Sequence, residues 1–247
     1  MSGHSKWHNI QNTKGKADAA RSKTFTKISR EIAVAVKLGG SNPASNAKLA
    51  SLIAKAKQNN IPNDNIERTI KKASGELGSV NYESCTYEGY GVGGSAVIVE
   101  CLTDNKNRTA GDVRHAFDKF GGSLGATGCV SYLFQRKGVI VIPRVEGLDS
   151  DMLMLDALDA GAVDVQEYDD EVEVITQPND VAEVNEKLEK AGYKSFSAEA
   201  CLVPDNYVDL DDTKMATFMR MLDMLNDSDD VQEVYHNVNL PESDDEE

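Results

Sequence analysis

Apolar residues recur along the first third of the chain at helical spacing. Between Lys16 and Leu38, the side chains Phe25, Ile28, Ile32 and Val36 fall three and four residues apart, and Gly39-Gly40 supplies a stop, which predicts one amphipathic helix. A second helix is expected from Pro43 to about Asn59, with Leu49, Leu52, Ile53 and Ala56 inward. A third runs from about Asn63 to Ser74, with Ile66, Ile70 and Ala73 inward. Pro43 and Pro62 stand where helices begin. Three helices with short connections make a small bundle, and residues 1 to 15 precede it as a basic arm.

From Val80 the period shifts toward two. Ser95 to Leu102 reads as a strand, Thr109 to Phe120 as a helix and Val130 to Phe134 as a further strand. A complete series follows: strand Val139 to Ile142, helix Ser150 to Ala160, strands Val163 to Tyr168 and Glu171 to Thr176, helix Asn179 to Ala191, and strand Ser195 to Val203. This βαββαβ order is the ferredoxin-like unit. An extended piece from Tyr207 to Leu210, a helix from about Asp212 to Leu225 and a strand from Val231 to Tyr235 then match the second half of a unit begun at Ser95. The expected fold class is therefore α+β: an N-terminal three-helix domain and two ferredoxin-like α/β domains, the third inserted into the second. The expected boundaries are 1–79 for the helical domain, 80–137 with 204–240 for the discontinuous domain, and 138–203 for the insertion. Residues 241–247 form an acidic tail expected to be disordered.

Composition changes this picture chiefly through charge. The 247 residues are 40% hydrophobic and 27% charged, ordinary globular usage, and no apolar run approaches the length of a membrane span. The first 25 residues lack the apolar core of a secretory signal. Cys85, Cys101, Cys129 and Cys201 are scattered without a CxxC pair, so reduced thiols in a cytoplasmic protein are the expectation. The net charge of −15 argues against nucleic acid only on average. Residues 1 to 80 hold 14 Lys and Arg against 5 Asp and Glu, residues 81 to 137 hold 6 of each, and residues 138 to 247 hold 6 against 30. Only the basic first segment suits phosphates.

Projecting the first helix at about 100° per residue gathers Lys16, Lys23, Lys27, Arg30 and Lys37 into one stripe opposite the apolar face, along about 30 Å of axis. Lys48 and Lys55 of the second helix extend it. Such a stripe suits a phosphate backbone, and solvated lysines are the plainer alternative. Upstream, Lys6, Trp7 and Lys14 join the candidate set. Trp7, the only tryptophan, either stacks on a base or anchors the arm to the bundle. A second lead is Asp104-Asn105-Lys106-Asn107-Arg108-Thr109, between a strand and a helix, where Asn107, Arg108 and, further on, Arg114 offer donors to phosphates and base edges. Its alternative is a turn with Thr109 or Asp112 capping the helix.

Other motifs point away from chemistry. Gly89-Tyr90-Gly91-Val92-Gly93-Gly94 stands between strands, where a phosphate loop must stand between a strand and a helix, so a hairpin needing positive φ explains it. Gly121 to Gly125 reads as a helix stop and loop. No GxSxG, HExxH or Walker sequence is present, and no enzyme, cofactor or metal is expected. His4 and His8 lack acidic or cysteine companions, and Asp149, Asp151, Asp156, Asp169 and Asp170 fit solubility and capping better than a cation site.

Five motifs in order carry a resemblance: Gly3-His4-Ser5-Lys6-Trp7 with Asn9-Ile10, Tyr87-Glu88-Gly89-Tyr90-Gly91, Asp104 to Thr109, Val113-Arg114-His115-Ala116-Phe117, and Val231-Gln232-Glu233-Val234-Tyr235-His236-Asn237. Together they resemble the YebC/PmpR family over essentially the whole chain. Val92 replaces a common proline and Cys129 a common serine. The resemblance implies a helical domain and two α/β domains around a cleft. It implies a regulator of gene expression, for members are described as DNA-binding transcriptional regulators, include a mitochondrial translational activator, and are linked in bacteria to ribosomes and relief of stalling at proline-rich stretches. The leading expectation is a ribosome and rRNA partner in translation, because lysines neutralise phosphates better than they distinguish bases. A DNA-binding transcriptional regulator is the alternative, and a protein-interaction scaffold a third.

Overall fold

A computed structural model describes residues 17–75 and 81–240, with side chains described from residue 23 onward in the first helix. The chain begins there with three helices: α1 (Ala17–Gly39), α2 (Ala47–Gln58) and α3 (Asn63–Ala73). Their apolar stripes meet as the periodicity predicts. Ile28, Ile32, Val36, Leu49, Leu52 and Ile66 form a buried core, with Phe25, Ile53, Ile70 and Ala73 packed against it. Pro62 precedes α3 directly, but Pro43 lies in a turn and α2 starts only at Ala47. The reason is Asn46, whose side-chain oxygen accepts the Leu49 N–H while its amide nitrogen donates to the carbonyls of Ala35 and Gly40 at 2.8 and 2.9 Å. One buried side chain thus caps α2 and satisfies carbonyls at the end of α1.

Two four-stranded antiparallel sheets follow. The first is assembled from β1 (Glu83–Tyr90), β2 (Ala96–Thr103), β3 (Ser123–Leu124) and β8 (Val231–His236), in the order β3-β1-β2-β8. Helices α4 (Lys106–Lys119) and α7 (Asp212–Asn226) belong to the same unit. The β1–β2 connection is the hairpin expected from the glycine run, with Gly93 and Gly94 at φ of 71° and 79°.

The second sheet comes from β4 (Phe134–Pro143), β5 (Asp164–Glu167), β6 (Glu171–Thr176) and β7 (Ser197–Pro204), ordered β5-β6-β4-β7. Helices α5 (Ser150–Ala160) and α6 (Val181–Ala191) complete the βαββαβ unit over a core that includes Ile140, Leu153, Val172, Val174 and Leu188. All of its strands lie in the chain between β3 and β8, so this unit is inserted within the first. The described chain falls into two compact units, 17–131 with Leu210–His236, and 132–209 with the residues from Asn237.

Four elements differ from the sequence reading, the first being the two-residue strand β3, Ser123–Leu124, which pairs with β1 inside the Gly121–Gly125 stretch expected as a loop. The hairpin strand β1 takes a place in the first sheet that the Tyr207–Leu210 piece was expected to fill, and Val208 instead bridges Val238 in the other unit. No strand forms at 130–134: Ser131–Leu133 is a 3-10 turn and Phe134 already belongs to β4. The cause is Glu88, whose carboxylate accepts the N–H groups of Gly128, Val130 and Ser131 at 2.9 to 3.1 Å and so takes donors a sheet ladder would need. Helix α4 starts at Lys106 under an Asn105 cap, not under Thr109 or Asp112. No helix of the described residues is long and apolar enough to cross a membrane.

Candidate nucleic-acid interface

Lys23, Lys27 and Arg30 of α1 lie on the face away from Ile28, Ile32 and Val36, as helical geometry requires. That face meets the first sheet's unit, where an open surface was expected. Lys23 pairs with Asp227, and the Lys27 Nζ donates to the Gln232 carbonyl at 3.1 Å. Arg30 donates to the Leu102 carbonyl at 2.6 Å and to Asp230, and its guanidinium lies 5.1 Å from the centre of the Tyr82 ring. Side-chain exposure is 12% for Arg30 and 5% for Asp230, so this pair is buried. Burial lowers the Lys27 amine from its ordinary pKa, partly countered by Glu233 and reinforced by Lys23 and Lys55. Lys23, Lys27 and Arg30 thus face a neighbouring element, which periodicity alone does not report.

Asp230 is the hub of this region. Its carboxylate accepts from Arg30, from Arg108 Nη2 at 2.8 and 3.1 Å, and from the hydroxyls of Thr103 and Thr109 at 3.1 and 2.7 Å. Burial pushes its pKa up, but the hydrogen bonds from Arg108, Arg30 and Thr109 outweigh it and hold the carboxyl down at about 2. Arg108 is tied to Asp104 at 2.8 Å as well, and Asp230 and Asp104 together raise its pKa. Arg108, in the first turn of α4, is therefore engaged internally, while Asn107 and Arg114 stand exposed. Sequence reading passed over Asp230 because it ends an acidic run, Asp227-Ser228-Asp229-Asp230, of the kind that ordinarily faces water.

The remaining candidates divide. Lys37 donates to the Asn81 side chain, Lys55 lies 3.9 Å from Glu31, and Lys48 is exposed. Lys6, Trp7, Lys14 and Lys16 lie outside the described residues. Four further cations of the bundle are exposed: Lys57 on α2, and Arg68, Lys71 and Lys72 on α3. Lys57, Lys71 and Lys72 stand in the last turns of their helices, where they also complement the helix dipoles, and Arg68 lies one turn earlier on α3.

Among the described residues no group of three or more His, Cys, Asp or Glu is placed to hold a metal ion. The four cysteines are free thiols, and burial pushes the Cys101 thiol above its ordinary pKa.

A three-helix bundle carrying exposed cations, followed by two antiparallel α+β sheets of which one is inserted in the other, defines the class of this protein. The chain belongs to the TACO1/YebC family: residues 5–76 match the description "TACO1/YebC protein N-terminal domain" and residues 82–238 "TACO1/YebC second and third domain". It is 59% identical over 242 residues to a "Probable transcriptional regulatory protein" of Clostridium botulinum (strain Okra / Type B1), covering 98% of each chain. It is 56% identical over 242 residues to the "Probable transcriptional regulatory protein ORF2U" of Hathewaya histolytica, again covering 98% of each. The crystal structure of a conserved hypothetical protein from Aquifex aeolicus is 44% identical and superimposes with a TM-score of 0.81, over 94% of this chain and 96% of that one.

Proposed function

We propose that the protein is a nucleic-acid-binding regulator of gene expression that works in the cytoplasm on the ribosome, gripping rRNA with its helical bundle and easing elongation at proline-rich stretches, with no catalytic step of its own. The observation that carries this reading is the exposed cation set of α2 and α3: Lys48, Lys57, Arg68, Lys71 and Lys72. Four lysines and one arginine spread over two helices neutralise an irregular phosphate backbone, whereas duplex readers concentrate Arg, Asn and Gln on one inserted element. Lys6, Trp7 and Lys14 of the basic segment before the bundle, and Lys16, add to the grip, with Trp7 either stacking on a base or anchoring that segment. Asn107 and Arg114 serve as auxiliary contacts.

The names of the clostridial relatives favour a second reading, a DNA-binding transcriptional regulator. Competition separates the two. An operator binder prefers its site over bulk duplex by about 10³ or more at fixed salt, because base contacts add to the phosphate attraction. We expect random and promoter duplexes to bind with similar, weak, salt-sensitive affinity, and the protein to co-sediment with ribosomes at salt that strips it from DNA. A promoter that outcompetes ribosomes at matched ionic strength replaces the translation reading with the transcription one.

A further inference from the structure

Ile28, Ile32 and Val36 of α1 face the core of the bundle. The hydrogen bonds and ion pairs that join α1 to the first sheet and the turn before β8 lie beside one ring contact, the Arg30 guanidinium over Tyr82. Lys23 meets Asp227, Lys27 meets the Gln232 carbonyl, and Arg30 meets Asp230 and the Leu102 carbonyl. This seam is also unfinished. Arg30 Nε and both polar side-chain atoms of Gln232 are buried without a hydrogen-bond partner. A buried group left unpaired costs about as much as a good hydrogen bond returns, and settled cores carry few of them. The seam therefore holds chiefly by charge matching, which another anion can replace.

The matching has a second property. Opening the seam strands no carboxylate: Asp227, at 72% exposure, returns to water, and Asp230 keeps Arg108, Thr103 and Thr109. The cations, by contrast, lose every partner named above and become available together on one face of one helix. A phosphate backbone offers a run of anions to such a face.

We infer that this seam is an autoinhibitory latch, in which Asp227 and Asp230 occupy Lys23 and Arg30 of the free protein and a polyanion takes their place by lifting α1 off β8 and the turn before it. The inference rests on the nucleic-acid reading above and adds its regulation: the exposed cations of α2 and α3 make first contact, and the α1 stripe is recruited only when the bound anion displaces the carboxylates. Short or sparse polyanions then bind through the outer set alone, and dense ones through both.

The test measures binding of a fluorescent 20-nucleotide polyuridylate by anisotropy across a salt series, with the full chain. The variants are Asp227→Asn and Asp227→Asn/Asp230→Asn, with Asp229→Asn as the control. Asp229 is exposed one residue from the hub, so the control makes the same charge change as Asp227→Asn outside the ion pairs described above. Freeing Lys23 from its exposed ion pair should tighten binding about threefold in the single variant, and freeing Arg30 from its buried one as well about tenfold in the double. Each extra phosphate contact should steepen the log-log salt slope by about 0.7. The control should match the wild type in slope.

Hydrogen exchange on the wild type gives a readout that needs no variant to fold. Bound polyuridylate should speed exchange at Ser228 to Gln232 while it protects the bundle. Two results overturn the latch: a double variant with the slope of the control, or saturated wild-type protein with unchanged exchange over Ser228 to Gln232. Absence of polyuridylate binding by every protein overturns the nucleic-acid reading itself, and the latch with it.

Discussion

Single residues decide more here than their type suggests. Glu171, on β6 of the inserted sheet, belongs to the most acidic part of the chain, yet it is 2% exposed and one carboxylate oxygen has no partner. Burial, aided by the neighbouring charges of Glu173 and Asp170, raises its pKa from 4.5 to about 8. A carboxyl that is easier to protonate folded than unfolded stabilises the fold relatively at low pH. Its cost grows as pH rises from about 4.5 to about 8 and then levels off. Glu171→Gln, which keeps the shape and removes the charge, should leave thermal stability unchanged near pH 4 and raise it above pH 8. An equal shift at both values would show that Glu171 ionisation does not limit stability.

At the scale of elements, the bundle shows how one side chain sets the relation of two helices. Asn46 caps α2 and holds carbonyls of Ala35 and Gly40, and a Cβ on Gly39 would lie 2.7 Å from its amide nitrogen. Gly39 is therefore required by Asn46 rather than by its own backbone. Replacing Asn46 with alanine removes a cap worth about 1 kcal/mol and leaves two carbonyls to find other donors, so a loss of about 2 to 3 kcal/mol is expected in urea unfolding. Gly39→Ala should be destabilising alone and nearly neutral in the Asn46→Ala background. Additive losses in the double variant would show that the two positions act separately.

Over the whole molecule, the charge is divided by position: cations in the bundle, carboxylates in the inserted unit and in the Asp227–Asp230 run that closes on α1. An overall charge of −15 then limits non-specific attraction to polyanions, and local density decides where contact is made. Changing Lys57, Arg68, Lys71 and Lys72 together to Gln should flatten the salt slope of RNA binding by about 2.8, at about 0.7 per lost contact. All four are exposed, so melting of the bundle should change little. An unchanged slope would move the RNA contact off α2 and α3. Reversing Lys23, Lys27 and Arg30 to Glu is a poorer probe, because it also sets like charge against Asp227 and Asp230.

The sequence by itself determined the bundle and its inward face, the βαββαβ insertion and the hairpin at the glycine run, because each follows from spacing within about 20 residues or from the φ that only glycine adopts freely. It also determined that cations line one side of α1. Only the tertiary structure decided what that side touches, since Lys23 and Arg30 find Asp227 and Asp230 some 200 residues away in the chain. The same holds for Glu88, which draws the N–H groups of Gly128, Val130 and Ser131 out of an expected strand from some 40 residues away. In both cases a carboxylate buried by folding must find donors wherever the fold brings them, and local pattern carries no record of which donors those are.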